Sequence, residues 1–226
     1  MSSLKANLHN SDTYINRELS LLEFHKRVLA QAADVDHPLL ERLNFLKIFS
    51  SNLDEFFEIR VAGLMKQLDL KMLTTAPDSI PNEIILQEIS DKAHRAVETQ
   101  YDILNQQILP QLQQHGIRFI QYHDILERHK DWIKNYFSKQ IQPVVTPISL
   151  DPAHPFPRLV NKSLNFIVSL EGKDAFGRHI DLAIVPAPRS LPRVVRLPDE
   201  LCPTGEQHYI LLSAMIQYHV NDLFPG

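Results

Sequence analysis

Two stretches of this sequence carry side chains whose types and spacing suit recognition chemistry. In Ser50-Ser51-Asn52-Leu53-Asp54-Glu55-Phe56-Phe57, three helix-capping residue types precede an amphipathic run, which predicts a helix beginning near Asn52. At such a start the backbone amides point outward and the macrodipole favours electron-rich groups. The Asn52 amide offers both a donor and an acceptor, the pairing that the edge of a nucleotide base also presents. The same residue could serve as a helix cap alone, and propensity by itself favours that role. Phe45, Phe49, Phe56 and Phe57 cluster nearby; most suit a core, and one exposed ring would be able to stack on a base.

The second stretch is Asp151-Pro152-Ala153-His154-Pro155-Phe156-Pro157-Arg158, followed by Asn161-Lys162-Ser163-Leu164-Asn165. Its prolines stiffen a loop at little entropic cost, and His154, Arg158 and Lys162 place cationic or switchable groups on it. A rigid basic loop suits contact with a polyanion; a structural connector reads the same way. Phosphate cradles of the GxxxxGK[ST] or GxGxxG type do not occur, nor do HExxH, CxxC or GxSxG. The eleven histidines are scattered. His94, His115, His123 and His129 share no metal-ligand spacing, so each reads as a surface or locally bonded residue, and no metal site is predicted. Cys202 stands alone, which excludes an intrachain disulfide and suits a reducing compartment.

These residues need a scaffold, and the composition supplies one. The 226 residues are 44% hydrophobic and 22% charged, with a formal charge of −4. That balance argues against nucleic-acid binding by bulk electrostatics, while leaving room for a local basic pocket. No apolar run reaches the roughly 18 residues of a membrane span, so a cytoplasmic location is expected. Residues 1–13 are polar and read as a flexible tail.

The first half patterns as helices. Ser20-Leu21-Leu22-Glu23 has the form of a capping box. Pro38 suits a first helical position. Leu53, Phe57, Val61, Leu64 and Leu68 form one stripe, and Ile85, Ile89, Ala93, Val97, Tyr101, Leu104 and Ile108 a longer one. Pro110 is expected to kink or end that helix, with Gly116 as terminator. The second half is different, with a short apolar run at Ile117–Gln121, a helix near 125–140, and frequent proline from Pro143 onward. Strand-like runs occur at Val144–Ile148, Leu164–Leu170, Ile180–Val185 and Val194–Leu197, and Ser213 would cap a last helix. The reading is an α+β chain: an antiparallel helical bundle over 14–112, then a mixed α/β head domain over 113–226. The thin sheet and the final Pro225-Gly226 suggest that the head domain is truncated.

Together, several segments resemble the opening of the polyphosphate kinase family that works through a phosphorylated histidine. They are Tyr14–Ser20, Arg27–Leu29, Pro38–Leu43, Ser51–Ala62, Thr146-Pro147, Asp151–Pro157, Asn161–Asn165, Leu191–Pro198 and Leu223–Gly226, in that order along the chain. The resemblance implies a four-part enzyme that moves the terminal phosphate of ATP onto polyphosphate, with Mg2+. In it, the N-terminal helical domain helps to hold adenine and the head domain is linked with dimer formation. By the same resemblance Asn52 is the adenine contact and Phe45 matches an aromatic position of that pocket. The phosphorylated histidine and the magnesium-binding residues belong to C-terminal domains, so no catalytic residue is assigned here and the chain alone is expected to be inactive. Peripheral membrane association, without a spanning segment, is compatible with this reading. Leu22 and His25 depart from the family pattern, which usually has an aromatic and an Asn there; both changes are expected to touch helix packing. The alternative is a stand-alone interaction or dimerisation module of the same ancestry.

Overall fold

The computed structural model describes residues 11–72, 77–150, 155–171 and 182–224. The chain divides into two compact units, residues 1–112 and 113–226. The first is helical and the second combines two small sheets with short helices, so the α+β class is observed.

In the first unit, α1 (Arg17–Ala33) and α2 (Leu39–Glu55) pack against each other, and α4 (Asn82–Asp102) packs on α1. The α1 cap is Asn16, not Ser20: its side-chain oxygen accepts from the Glu18 and Leu19 amides, and Ser20 lies inside the helix. Between α2 and α3 (Ala62–Asp69) the chain winds more loosely, in π-helical turns over Phe56–Val61. A second such stretch, Ile103–Ile108, joins α4 to α5 (Leu109–Gln114).

These looser turns correct two of the expected stripes. A π turn closes over five residues instead of four, so Phe56 and Val61 are buried together while Phe57 is exposed. Likewise Ile103 and Ile108 are buried and Tyr101 is exposed. Pro110 neither ends nor breaks the helix. The second loose stretch lies directly before it, where a proline ring would otherwise meet the preceding turn of an α-helix. The core of this unit gathers Leu22, Phe56, Val61, Leu64, Ile85 and Ile89. Arg42 is buried in the same unit, and its partners among the described residues are neutral: the Ala32 carbonyl at 2.8 Å and the side-chain oxygens of Gln107 at 2.7 Å and Gln111 at 3.2 Å.

In the second unit, β1 (Ile117–Ile120) runs parallel to β6 (Gln207–Leu211), and β5 (Val194–Arg196) runs antiparallel to β6 on its other side. A second sheet has β4 (Leu182–Pro186) between β2 (Ile148–Leu150) and β3 (Asn165–Ser169), all antiparallel. The helix α6 (Glu127–Tyr136) and α7 (Leu212–Tyr218) complete it, and Ser213 lies within α7 without capping it. Ile133, Phe137, Ile141, Ile210, Met215 and Ile216 are sealed from solvent at its centre. Gly116 does terminate α5: its φ is +74°, a conformation that costs glycine nothing.

Candidate functional site: a cleft between the first two helices

Asn52 does not start a helix. It lies in the last turn of α2, which runs without a break through Ser50 and Ser51, and its backbone carbonyl accepts from the Phe56 amide. Capping is therefore not its role, because the amides ahead of it are already bonded within the helix. Burial of Leu46, Phe49 and Phe56 on the same helix-to-π rod outweighs the weak local preference of two serines and an asparagine for helix ends. Among the described residues, no protein group pairs with the Asn52 side-chain amide.

That half-buried amide lines a cleft of about 270 Å³ between α1 and the α2–π rod. Leu21, Phe24 and His25 form one wall; Asn52, Glu55, Phe56, Ile59 and Arg60 form the other. The spacing explains why these side chains converge. Leu21 and His25 are four apart on α1, and Asn52, Glu55, Phe56 and Ile59 follow at helical spacings of three, four and seven. The walls mix apolar side chains with an amide, an imidazole, a carboxylate and a guanidinium. A flat heteroaromatic ligand with polar edges has that same distribution of surface.

His25 is the residue that sequence reasoning assigned to packing alone. It is only 5% exposed, and its ring meets Phe56 edge to face at 5.7 Å between centroids. Its Nδ1 is buried without a hydrogen-bond partner among the described residues. Burial pushes its pKa down, and the nearby Glu55 carboxylate opposes part of that shift. The ring is thus kept neutral at pH 7. The signal that could have pointed to it was the four-residue step from Leu21, which puts both on one face of α1; which face lines a cleft is decided by tertiary packing.

Phe45 is half-buried and lies outside this lining. Its ring tilts against His37, with centroids 5.3 Å apart. Seven residues separate it from Asn52, so the two share a face of α2 but stand about 10 Å apart along its axis. The structure therefore brings only Asn52 into the cleft.

The basic loop is described in part. Asp151–His154 lie outside the described residues. Arg158 and Lys162 are exposed, Arg189 donates to the Asn161 carbonyl, and the Asn165 amide donates to Ser163 Oγ at 2.8 Å. Of the four singled-out histidines, His115 and His123 are exposed, and His94 Nδ1 pairs with the Ser90 carbonyl at 2.7 Å. His129 is buried, and its Nδ1 accepts from the Leu126 amide at the start of α6. Among the described residues, no helix is long and apolar enough to cross a membrane.

Comparison with known proteins bears on this geometry. Residues 14–120 match the polyphosphate kinase N-terminal domain, and residues 128–226 match the polyphosphate kinase middle domain. The chain is 54% identical over 220 residues to a polyphosphate kinase of Pseudomonas syringae pv. tomato, covering 97% of this chain and 30% of that protein. It is 50% identical over 212 residues to one from Burkholderia lata, covering 93% and 31% respectively. The crystal structure of polyphosphate kinase from Porphyromonas gingivalis superposes with a TM-score of 0.79 at 32% identity, over 94% of this chain and 31% of that one. The chain thus spans about a third of the length of these relatives. With both domain matches in order and the fold shared, this chain belongs to the polyphosphate kinase family and corresponds to its N-terminal portion.

Proposed function

We propose that this chain supplies the adenine-binding part of an ATP:polyphosphate phosphotransferase, with the cleft between α1 and α2 as the adenine seat. The observation that carries the reading is the Asn52 amide: half-buried, free of any capping duty, and set in a cleft whose walls carry both apolar and polar side chains. An adenine ring would exclude water from Leu21, Phe24 and Ile59, while Asn52 meets the amino group and a ring nitrogen with its acceptor and donor. Phe45, two turns along the same face, is assigned the flank of the same ligand. Phosphoryl transfer through a phosphohistidine, and the Mg2+ that neutralises the phosphates, are assigned to polypeptide corresponding to the remaining length of the relatives. The second unit is assigned to contact between subunits, and polyphosphate is the expected acceptor.

Titration of the 226-residue chain with ATP, followed by amide and side-chain NMR, tests the seat. Saturable shifts of the Asn52 side-chain NH2 and of the Leu21 and Ile59 methyls are expected. Shifts confined to other surfaces would overturn the assignment.

A further inference from the structure

We propose that His25 is a second ligand-reading residue of the Asn52 cleft, its imidazole donating the Nε2 proton to a ring-nitrogen acceptor of the bound base. The inference rests on the adenine reading above and extends it to a residue on the opposite wall.

A neutral imidazole has one N–H donor and one acceptor nitrogen. In His25 the Nδ1 atom is sealed from solvent and has no hydrogen-bond partner among the described residues, and the ring abuts Phe24 at 6.0 Å and Phe56 at 5.7 Å between centroids. A proton on Nδ1 would be an unpaired donor in an apolar seat, which is costly. The tautomer with the proton on Nε2 avoids that. It leaves the buried nitrogen as a bare lone pair and puts the donor on the other side of the ring, which belongs to a residue lining the cleft. The Glu55 carboxylate lines the facing wall of the same cleft.

The two walls are then complementary in what they offer. Asn52 supplies a donor and an acceptor, matching an amino group next to a ring nitrogen. His25 supplies a lone donor, matching a further ring nitrogen with no hydrogen attached. Adenine carries its amino group beside one ring nitrogen and has other unprotonated ring nitrogens around its edge. Edge-to-face packing on Phe56 fixes the direction of the imidazole plane, so the donor is held in place before the ligand arrives.

The test uses the 226-residue chain labelled with 15N-histidine. On saturation with ATP, the His25 Nε2 resonance should shift and its tautomer stay fixed, while His94 and His115 remain where they were. His25→Phe keeps the aromatic packing and removes the donor; it should weaken ATP binding about tenfold, and His25→Gln should recover part of that loss. If Asn52→Ala weakens binding while His25→Phe does not, and Nε2 stays still, this inference fails and the adenine seat stands. If neither substitution changes affinity, or ATP moves no resonance of the cleft, both readings fall. Should His25→Phe not fold, the Nε2 shift in the unmodified chain decides alone.

Discussion

Asn16 Nδ2 donates to Asp78 Oδ2 at 2.8 Å, across 62 positions of sequence, while Asn16 Oδ1 accepts from the Glu18 and Leu19 amides. One buried side chain thus starts α1 and ties it to the turn that leads into α4. Asp78 in turn accepts from the Ile80 amide at 3.1 Å, which sets that turn. Replacing Asn16 by Ala removes the cap and leaves Asp78 without its amide donor. Loss of a cap of this kind costs about 1–2 kcal/mol, so Asn16→Ala should lower the urea midpoint of the helical unit. Asn16→Asp keeps the cap acceptor but sets two carboxylates together, and should rescue less than Asn16→Ser. An Asn16→Ala midpoint equal to that of the unsubstituted chain would show that neither the cap nor the contact to Asp78 contributes.

Asn52 gives the opposite expectation for stability. It stands inside α2 and caps nothing, and alanine is the better helix former by a few tenths of a kcal/mol. Asn52→Ala should therefore leave the melting temperature unchanged or slightly raised. In a polypeptide extended to the length of its relatives, the same change should raise the KM for ATP about ten- to a hundredfold, the effect of losing a buried hydrogen-bonded contact worth roughly 1–3 kcal/mol. A loss of stability with an unaltered KM would return Asn52 to a purely structural role.

Those two asparagines show how far the sequence could be read. The bundle was legible because the stripe through Ile85, Ile89 and Ala93 coincides with a buried face. The break expected at Ser50–Asn52 was not real, because packing of Leu46, Phe49 and Phe56 carries the helix across residues that prefer helix ends. The shift from Phe57 to Phe56, and from Tyr101 to Ile103, was hidden because a π turn leaves no local signature in residue type. β6 (Gln207–Leu211) carries no strand signal in its own residues. It runs straight into α7 with no turn residue between them, and its place at the centre of a sheet comes from pairing with the distant β1 and β5. The cleft itself is a property of two helix faces meeting, so the type of Asn52 was informative and the company of His25 was not.

Buried His25 predicts how stability depends on pH. Burial holds its folded pKa below the ordinary 6.5, with Glu55 partly opposing, and burial does the same to His129 in the second unit, helped by the Arg128 charge. The unfolded chain therefore binds more protons than the folded one once pH drops under about 6.5. The contribution from keeping these rings neutral is complete above that value. It is lost as pH falls toward the lowered folded pKa. Urea midpoints measured between about pH 7.5 and pH 5 should decline, and His25→Asn should flatten the part of the decline that belongs to the helical unit. An identical slope in that variant would mean that the imidazole does not titrate between the two states.

Gly116 combines two constraints that a larger residue cannot meet together. Its φ of +74° lies in the left-handed region, and a Cβ added there would come within 2.9 Å of the Gly205 carbonyl oxygen. The neighbouring backbone is held: the Gly116 carbonyl accepts from the Gln207 amide at 2.7 Å, at the point where β1 and β6 begin their parallel pairing. Relief of the contact would have to move Gly205 or break that first bond of the ladder. Gly116→Ala should therefore cost more than the approximately 1 kcal/mol that left-handed strain alone imposes on alanine. Hydrogen exchange should then quicken first at the Gln207 and Tyr209 amides, before the rest of β6. Gly205→Ala is the control, because its φ of +84° carries similar strain but a Cβ there meets no atom within 4 Å. If the two variants lose equal stability, the steric contact with the Gly205 carbonyl adds nothing to the backbone term.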